Sequence, residues 1–380
     1  MPLPWIQHHP TTFHLLTLPT LALLYLLTLR HLCTLRLQQP PYNRLPPHRP
    51  HPSQRLKRNI QVAGTTIAAL LLAFPLLAPI QDPLLTTVAR TACFFYACKI
   101  LDLAVMRAAT PPTMMTEPAS DETPPSVLHD HPQPTRIPVP LPTRPLPYHL
   151  HTLHYAYLLT TQMRYHAFST LHLQPRRPAK PHHTYLPLLL IPILTTIFPN
   201  PLTKSLLLLL TIRHTLETLH TTLHPTCRTP LFHAPFAATT LQTFWSTHWQ
   251  ACATPWLLSL AYAPTKRLLT PRLGAKAARA VAVVNTFGLT GVWHAWAVMP
   301  AVDEAWAWTL AVQVWAWFVS LGVGCVVENA VFGRREGGWV RWVGTWAYML
   351  VGGGVCWATL EAHDRTGYLE VMGRWMTRAS

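Results

Sequence analysis

The sequence predicts an all-α, polytopic membrane protein with about seven or eight transmembrane helices and a proline-rich cytoplasmic loop. Three observations carry that prediction. Only 12% of the 380 residues are charged, against about 25% in a typical soluble domain, too few to clothe a water-soluble surface of this size. Apolar residues make up 49% of the chain and gather into runs near the roughly 17–25 residues that cross a bilayer. The third observation is an excess of 30 Lys and Arg over 14 Asp and Glu, most of it in alternate connections between those runs.

The runs can be taken in order. Residues 13–29 form the first, closed by Arg30. No basic segment precedes it, and Arg30-His31 stands where a small-residue cleavage site would be, so it reads as a retained anchor. Residues 60–80 are uncharged. Residues 84–106 carry Arg90, Lys99 and Asp102, which must face protein or a cavity at membrane depth. Residues 110–147 hold 12 prolines and read as an extended or disordered loop. Residues 149–173 regain helical character without enough apolarity to span, which predicts an interfacial amphipathic helix. Two shorter runs, 185–198 and 205–212, flank Pro199-Asn200-Pro201 and predict a tight helical hairpin. Residues 277–300, 305–327 and 342–360 complete the set.

Lys and Arg concentrate in cytoplasmic loops. Residues 30–58 contain seven basic side chains and no acidic one, and residues 213–279 seven against one. Residues 107–180 are basic by seven to four, and Arg334, Arg335 and Arg341 follow the 305–327 run. The alternate connections hold Asp82, Lys204, and Asp303 with Glu304. With eight helices every basic connection falls on one side and both termini are lumenal. A nucleic-acid partner is excluded on the same ground, because the cations are partitioned by side and not gathered into one stripe. Seven scattered cysteines without a CxxC pair give neither a disulfide framework nor a zinc site. Eleven of the 15 tryptophans lie beyond residue 290; Trp306, Trp339 and Trp342 sit at helix ends and fit membrane-interface anchoring.

Two segments carry candidate chemistry. An ionisable group inside a membrane helix is expensive and a functional candidate by default. His294 is such a group, in Phe287-Gly288-Leu289-Thr290-Gly291-Val292-Trp293-His294. Thr290 lies one turn earlier, where its hydroxyl is expected to hold one ring nitrogen. Gly291 leaves room for a substrate or a neighbouring helix. A histidine satisfied by an adjacent helix would give the same pattern. The second segment is Phe244-Trp245-Ser246-Thr247-His248-Trp249-Gln250, whose mixed aromatic and polar residues also suit an interface helix.

Together these segments resemble a family. Pro230-Leu231-Phe232, Pro235, Leu241 and Phe244-Trp245…Trp249 are similar to the P-L-F…P…S-L-x-x-F-W-x-x-x-W-H signature of wax-synthase-like proteins, within the membrane-bound O-acyltransferase superfamily. The His294 segment resembles that family's F-x-x-S-G-x-x-H, with Thr290 for serine, and Gly322-Val323-Gly324…Glu328 resembles its G-x-G…E element. The resemblance spans roughly residues 225–330. It implies acyl transfer from coenzyme A to a hydroxyl, with His294 as catalytic base. Thr290, Gly291, Trp293, Phe244, Trp245, His248, Trp249, Gln250 and Glu328 are implied as supporting or substrate-positioning residues. One departure stands out: Gln250 occupies the position of the family histidine, and a carboxamide cannot take up a proton at neutral pH.

The chemistry suits these residues. An alcohol attacking a thioester must lose its proton, and a neutral imidazole is a suitable base. Coenzyme A brings anionic phosphates, for which Arg213, Arg228, Lys266, Arg267 and Arg272 are candidates, though topology alone would place cations there. Acyl-coenzyme A, in particular acetyl-coenzyme A, is then a co-substrate, with no bound cofactor or metal. The partners are the bilayer and a lipophilic alcohol, and oligomeric state is not legible. The Pro-Leu-Phe…Phe-Trp segment looks most like that of fungal relatives that acetylate terpenoid or related secondary metabolites. A long-chain alcohol, giving a wax ester, is the alternative within the family, and the resemblance implies the endoplasmic reticulum.

The resulting division is residues 1–107 as N-terminal membrane helices and 108–148 as the proline-rich linker. Residues 149–220 hold the amphipathic helix and hairpin, 221–361 the wax-synthase-like catalytic region, and 362–380 a tail. A membrane di-iron hydroxylase or desaturase is the competing enzyme class, given 22 histidines. His220-x-x-x-His224 has a suitable spacing, but no HxxHH element occurs. A transporter would show internal repeats, and none is visible.

Overall fold

The computed structural model describes residues 10–37, 54–77, 80, 82–108, 111–112, 148–162, 200–224, 231–232, 234–249, 252–333 and 338–364. Helix dominates these residues, and the described pairing outside it is one isolated bridge between Val302 and Asp364. The proline-rich stretch, the 185–198 run, Arg228 and Gln250 lie outside the described residues.

The first unit is built from α1 (Pro10–Leu37), α2 (Gln54–Leu77), α3 (Pro83–Ile100) and α4 (Tyr148–Thr161). Asp82 starts α3, its side chain accepting from the Leu85 amide at 2.7 Å with Pro83 at the first helical position, where proline loses no hydrogen bond. A π-helical turn, Leu101–Met106, continues α3. The four helices share an aliphatic core that includes Leu29, Leu32, Ile60, Ile67, Ile100 and Leu159.

The charges of α3 are turned inward, as their membrane depth requires. Lys99 and Asp102 are buried, and Asp102 pairs with Arg107 at 2.7 Å. The Lys99 ammonium donates to the carbonyls of Thr160 (3.0 Å) and Gln162 (2.9 Å). It therefore caps the C-terminal end of α4, where unsatisfied carbonyls and the helix dipole favour a cation. The interfacial helix expected over 149–173 is described to Thr161. Its Thr152–Tyr155–Ala156–Leu159 face is buried and packs with α1, so protein, not lipid headgroups, covers that face.

The second unit begins with α5 (Pro201–Leu223), whose start is capped by Asn200 accepting from the Leu202 amide at 2.8 Å. After residues 231–232 a short turn, α6 (Leu241–Thr243), continues as π-helix Phe244–His248. Then come α7 (Thr254–Leu257), a π-turn Leu258–Tyr262, α8 (Ala263–Val298), α9 (Glu304–Phe332) and α10 (Trp339–Ala362). The stretch Ala263–Val298 is not one rod. Gly274 has φ 75° and ψ 164°, a backbone state open to glycine and not to residues with a side chain. Across it Asn285 Nδ2 donates to Thr265 Oγ1 at 2.8 Å. Twenty residues of continuous helix would separate those groups by about 30 Å, so the chain reverses at Gly274 into a helical hairpin. The long apolar helix expected over 277–300 is its second leg.

Four stretches among the described residues are long and apolar enough to cross a bilayer: Gln54–Leu77, Thr254–Ala301, Glu304–Phe332 and Trp339–Ala362. Seven or eight were expected from sequence. The runs in α1, α3 and α5 are helical; those of α3 and α5 are interleaved with Thr and charged residues, which keeps them outside this group. The sparsely basic connections nevertheless meet at one end of the molecule. Lys204 pairs with Glu361, the Asp303 amide donates to the His363 carbonyl at 3.3 Å, and Ile80 and Pro83 line one cleft with Pro300 and Val302.

Candidate active site

His294 sits in the second leg of α8, its imidazole stacked between the Trp293 indole (centroids 4.7 Å apart, 20° between planes) and the Phe318 ring of α9 (4.7 Å, 13°). Both faces of the imidazole are covered, so its nitrogens, whose lone pair and N–H lie in the ring plane, point out of the stack. Among the described residues His294 makes no hydrogen bond, and it keeps part of its surface accessible. The expected bond from Thr290 is absent. The Thr290 hydroxyl donates instead to the Thr286 carbonyl at 3.0 Å, the usual way a helical threonine satisfies itself where water is scarce.

Trp293 fixes this stack from the other side. Its indole N–H donates to the Thr91 carbonyl of α3 at 3.0 Å, and its ring packs on Phe94, Phe95 and Trp256. Gly291 admits the neighbouring helix: a β-carbon there would lie 3.1 Å from the Trp315 Cα and carbonyl and from Phe318 Cβ. That settles which of the two uses of the glycine applies, close passage of α9. Gly322 does the same from α9 toward Phe287 and Val284, at 3.0–3.1 Å.

The two sequence segments are brought together by aromatic contacts. Trp245 packs edge-on to Phe287 at 5.6 Å and against Phe318 at 6.0 Å, so one ring, Phe318, separates it from His294. Phe244 stacks on Trp249 (5.2 Å), which meets Phe232 edge-on (5.0 Å). His248 closes the π-turn. These rings lie in the second unit's core beside Leu310, Leu321, Trp346 and Met349.

Glu328 is placed away from the imidazole. Its carboxylate accepts from the Gln242 amide at 3.3 Å and pairs with Arg341 of α10 at 3.4 Å. Ten residues along α9 from Phe318, it stands about 15 Å from the stack. With Gly324, where a β-carbon would meet Leu241 Cδ1 at 2.9 Å, it fastens the Leu241–His248 turn onto α9. The G-x-G…E element is thus a cradle for the aromatic segment.

Two residues escaped the sequence reading. Phe318 covers the outer face of the imidazole, and nothing distinguishes it from the other aromatics of α9. Glu217 of α5 accepts from the Leu231 (3.1 Å) and Phe232 (3.2 Å) amides and so holds the Leu-Phe segment. Its signal was available: it is the single acidic residue among positions 213–279.

Of the candidate phosphate-binding cations, Lys266 and Arg267 line a cleft of about 530 Å³ with Tyr262, Thr270 and Pro271. Arg272 lies exposed near the hairpin turn, as do Lys276 and Arg279 beyond it. Thr265 marks the level of Asn285, nine residues or about 14 Å along the helix from His294. Arg213 is half-buried on α5, and no described contact ties it to this group. His220 and His224 have rings 5.6 Å apart, and no group of three or more metal-ligating side chains occurs among the described residues.

With this geometry in view, the described residues are built from helices, and their apolar stretches suit an integral membrane protein. Residues 228–320 match the model of the membrane bound O-acyl transferase family. The match takes in a quarter of the chain, including the aromatic segment and His294, and supports the membrane-bound O-acyltransferase superfamily and acyltransferase activity in general. No curated protein and no solved structure matches the chain.

Proposed function

We propose that this protein transfers an acyl group from acyl-coenzyme A to the hydroxyl of a lipophilic acceptor, within a membrane-embedded chamber around His294. The observation that carries the reading is the imidazole held between Trp293 and Phe318 with its ring edge unengaged by described residues. Such a group accepts the hydroxyl proton as the oxygen attacks the thioester carbon. The C–O bond forms, the C–S bond breaks, and the proton passes from imidazole to the departing thiolate. Thiolate is a good leaving group, so no covalent acyl-enzyme is needed. General-base assistance of this kind contributes about 10²–10⁴-fold.

Lys266, Arg267 and Arg272 are assigned to the coenzyme A phosphates. Lys266 and Arg267, next to Thr265, stand about 15 Å along the helix from the imidazole, a span for the pantetheine arm, with Arg272 farther out toward the turn, and charge-assisted bonds to phosphate are strong. The acceptor class is a terpenoid or related secondary metabolite and the donor acetyl-coenzyme A, in a seven- or eight-span protein of the endoplasmic reticulum. This finer part rests on the resemblance of the Leu231–Trp249 segment. Microsomes containing the full chain, given labelled acetyl- or palmitoyl-coenzyme A and a lipid extract, test it. Label in an acetyl ester is expected, lost in His294→Ala; label in a long-chain ester would replace the acceptor class with a wax alcohol. Near-normal transfer by His294→Ala would overturn the mechanism.

A further inference from the structure

A second cleft, of about 600 Å³, opens at the end of the molecule opposite the Gly274 turn. Its walls come from the start of α3 and from the connection between α8 and α9, and Pro83, Met299, Val302 and Trp308 make them largely apolar. Among the described lining residues one cation faces this space, Arg90. Several other cations among the described residues have partners: Arg107 pairs with Asp102, Lys204 with Glu361 and Arg341 with Glu328, and Lys99 donates to two carbonyls. Arg90 has no carboxylate within ion-pair distance among the described residues. Glu304 lines the same cleft yet does not reach it.

What holds Arg90 is weak for a guanidinium with five N–H donors. Nη1 donates to the Trp296 carbonyl at 3.2 Å and the group lies 5.5 Å from the centre of the Trp296 ring, while Nε is buried without a partner among the described residues. An under-paired guanidinium in an apolar cleft is costly, and costly intramembrane charges are kept for a ligand or a pathway. The neighbouring Thr86 hydroxyl is already committed to the Ile80 and Asp82 carbonyls, so Arg90 supplies the free donors.

We propose that this cleft binds an anionic amphiphile, with its oxyanion headgroup on Arg90 and its apolar body along the Met299–Val302–Trp308 wall. A carboxylate or a phosphate matches a guanidinium equally in chemistry. The site does not depend on acyl transfer, although Met299 is only five residues, about 8 Å along the helix, from His294.

The test is binding of radiolabelled oleate to the purified full-length chain, with unlabelled oleate, oleyl phosphate, oleyl alcohol, oleylamine and inorganic phosphate as competitors. Oleate and oleyl phosphate should compete, and the more effective of them identifies the headgroup. Oleyl alcohol and oleylamine should be at least about tenfold weaker, the scale of one lost charge-assisted bond. Arg90→Gln should weaken oleate binding by at least about the same factor and Arg90→Lys by less. Ala307→Trp, which fills the cleft and leaves Arg90 in place, should also lose binding, and it keeps the test open if Arg90→Gln does not fold. His294→Ala should bind oleate normally while losing transfer, which separates this site from the catalytic reading. Wild-type oleate binding by both Arg90→Gln and Ala307→Trp, equal competition by oleyl alcohol, or full competition by inorganic phosphate alone would overturn the proposal.

Discussion

Lys99 and His294 are both ionisable side chains at membrane depth, one in each unit, and the protein treats them oppositely. Lys99 is fully enclosed, donates to two carbonyls at the end of α4 and faces the Phe95 and Tyr96 rings. His294 is clamped on both faces by rings, with no hydrogen bond among the described residues. The first arrangement consumes the polar group in holding α3 to α4. The second holds the ring's plane and leaves its edge for something else. A buried ionisable group becomes a site through what its polar atoms are not doing.

The largest expected effect breaks the comparison on the His294 side. His294→Ala should reduce acyl transfer by about 10²–10⁴-fold with unchanged elution and melting temperature, measured on the solubilised protein. Lys99→Met should do the reverse. Two buried carbonyls lose their donor, at a cost of about 1–3 kcal/mol each, read as lower thermal stability with transfer per folded molecule preserved.

Gly291→Ala comes next and joins stability to activity. Its β-carbon would press on Trp315 and Phe318 at 3.1 Å, and overpacking of this kind costs about 1–3 kcal/mol. Because Phe318 is half of the imidazole's clamp, kcat should fall along with the melting temperature. Glu328→Gln is expected to be the mildest. The amide can still accept from the Gln242 backbone while the pair with Arg341 is lost, about 0.5–1 kcal/mol for a partly buried pair; transfer should persist within a few-fold. A loss there as large as that of His294→Ala would show Glu328 to be chemical and not a fastening.

The legible part of the protein is the part that repeats or that violates expectation. Long apolar runs announced α2, α9 and α10, the charges of α3 announced a helix facing protein, and an intramembrane histidine announced itself by its cost. The Thr290 hydroxyl's partner is not legible, because spacing along one helix cannot say whether a hydroxyl turns to a side chain or to its own backbone. Phe318 was invisible because which of many aromatics meets residue 294 depends on how α8 and α9 cross. Gly274 was equally hidden, since a glycine in a helical pattern signals nothing until its φ is known.

By itself the sequence pointed to a membrane protein and singled out the alternating basic connections and the histidine proposed as base, because hydrophobicity and charge are properties of residues wherever they are placed. Tertiary structure alone decided that α8 reverses, that a G-x-G…E element is a cradle, and that Arg90 faces an apolar cleft without a counter-ion among the described residues. Each of those depends on which groups end up within a few ångströms of one another, and polar satisfaction is a property of pairs.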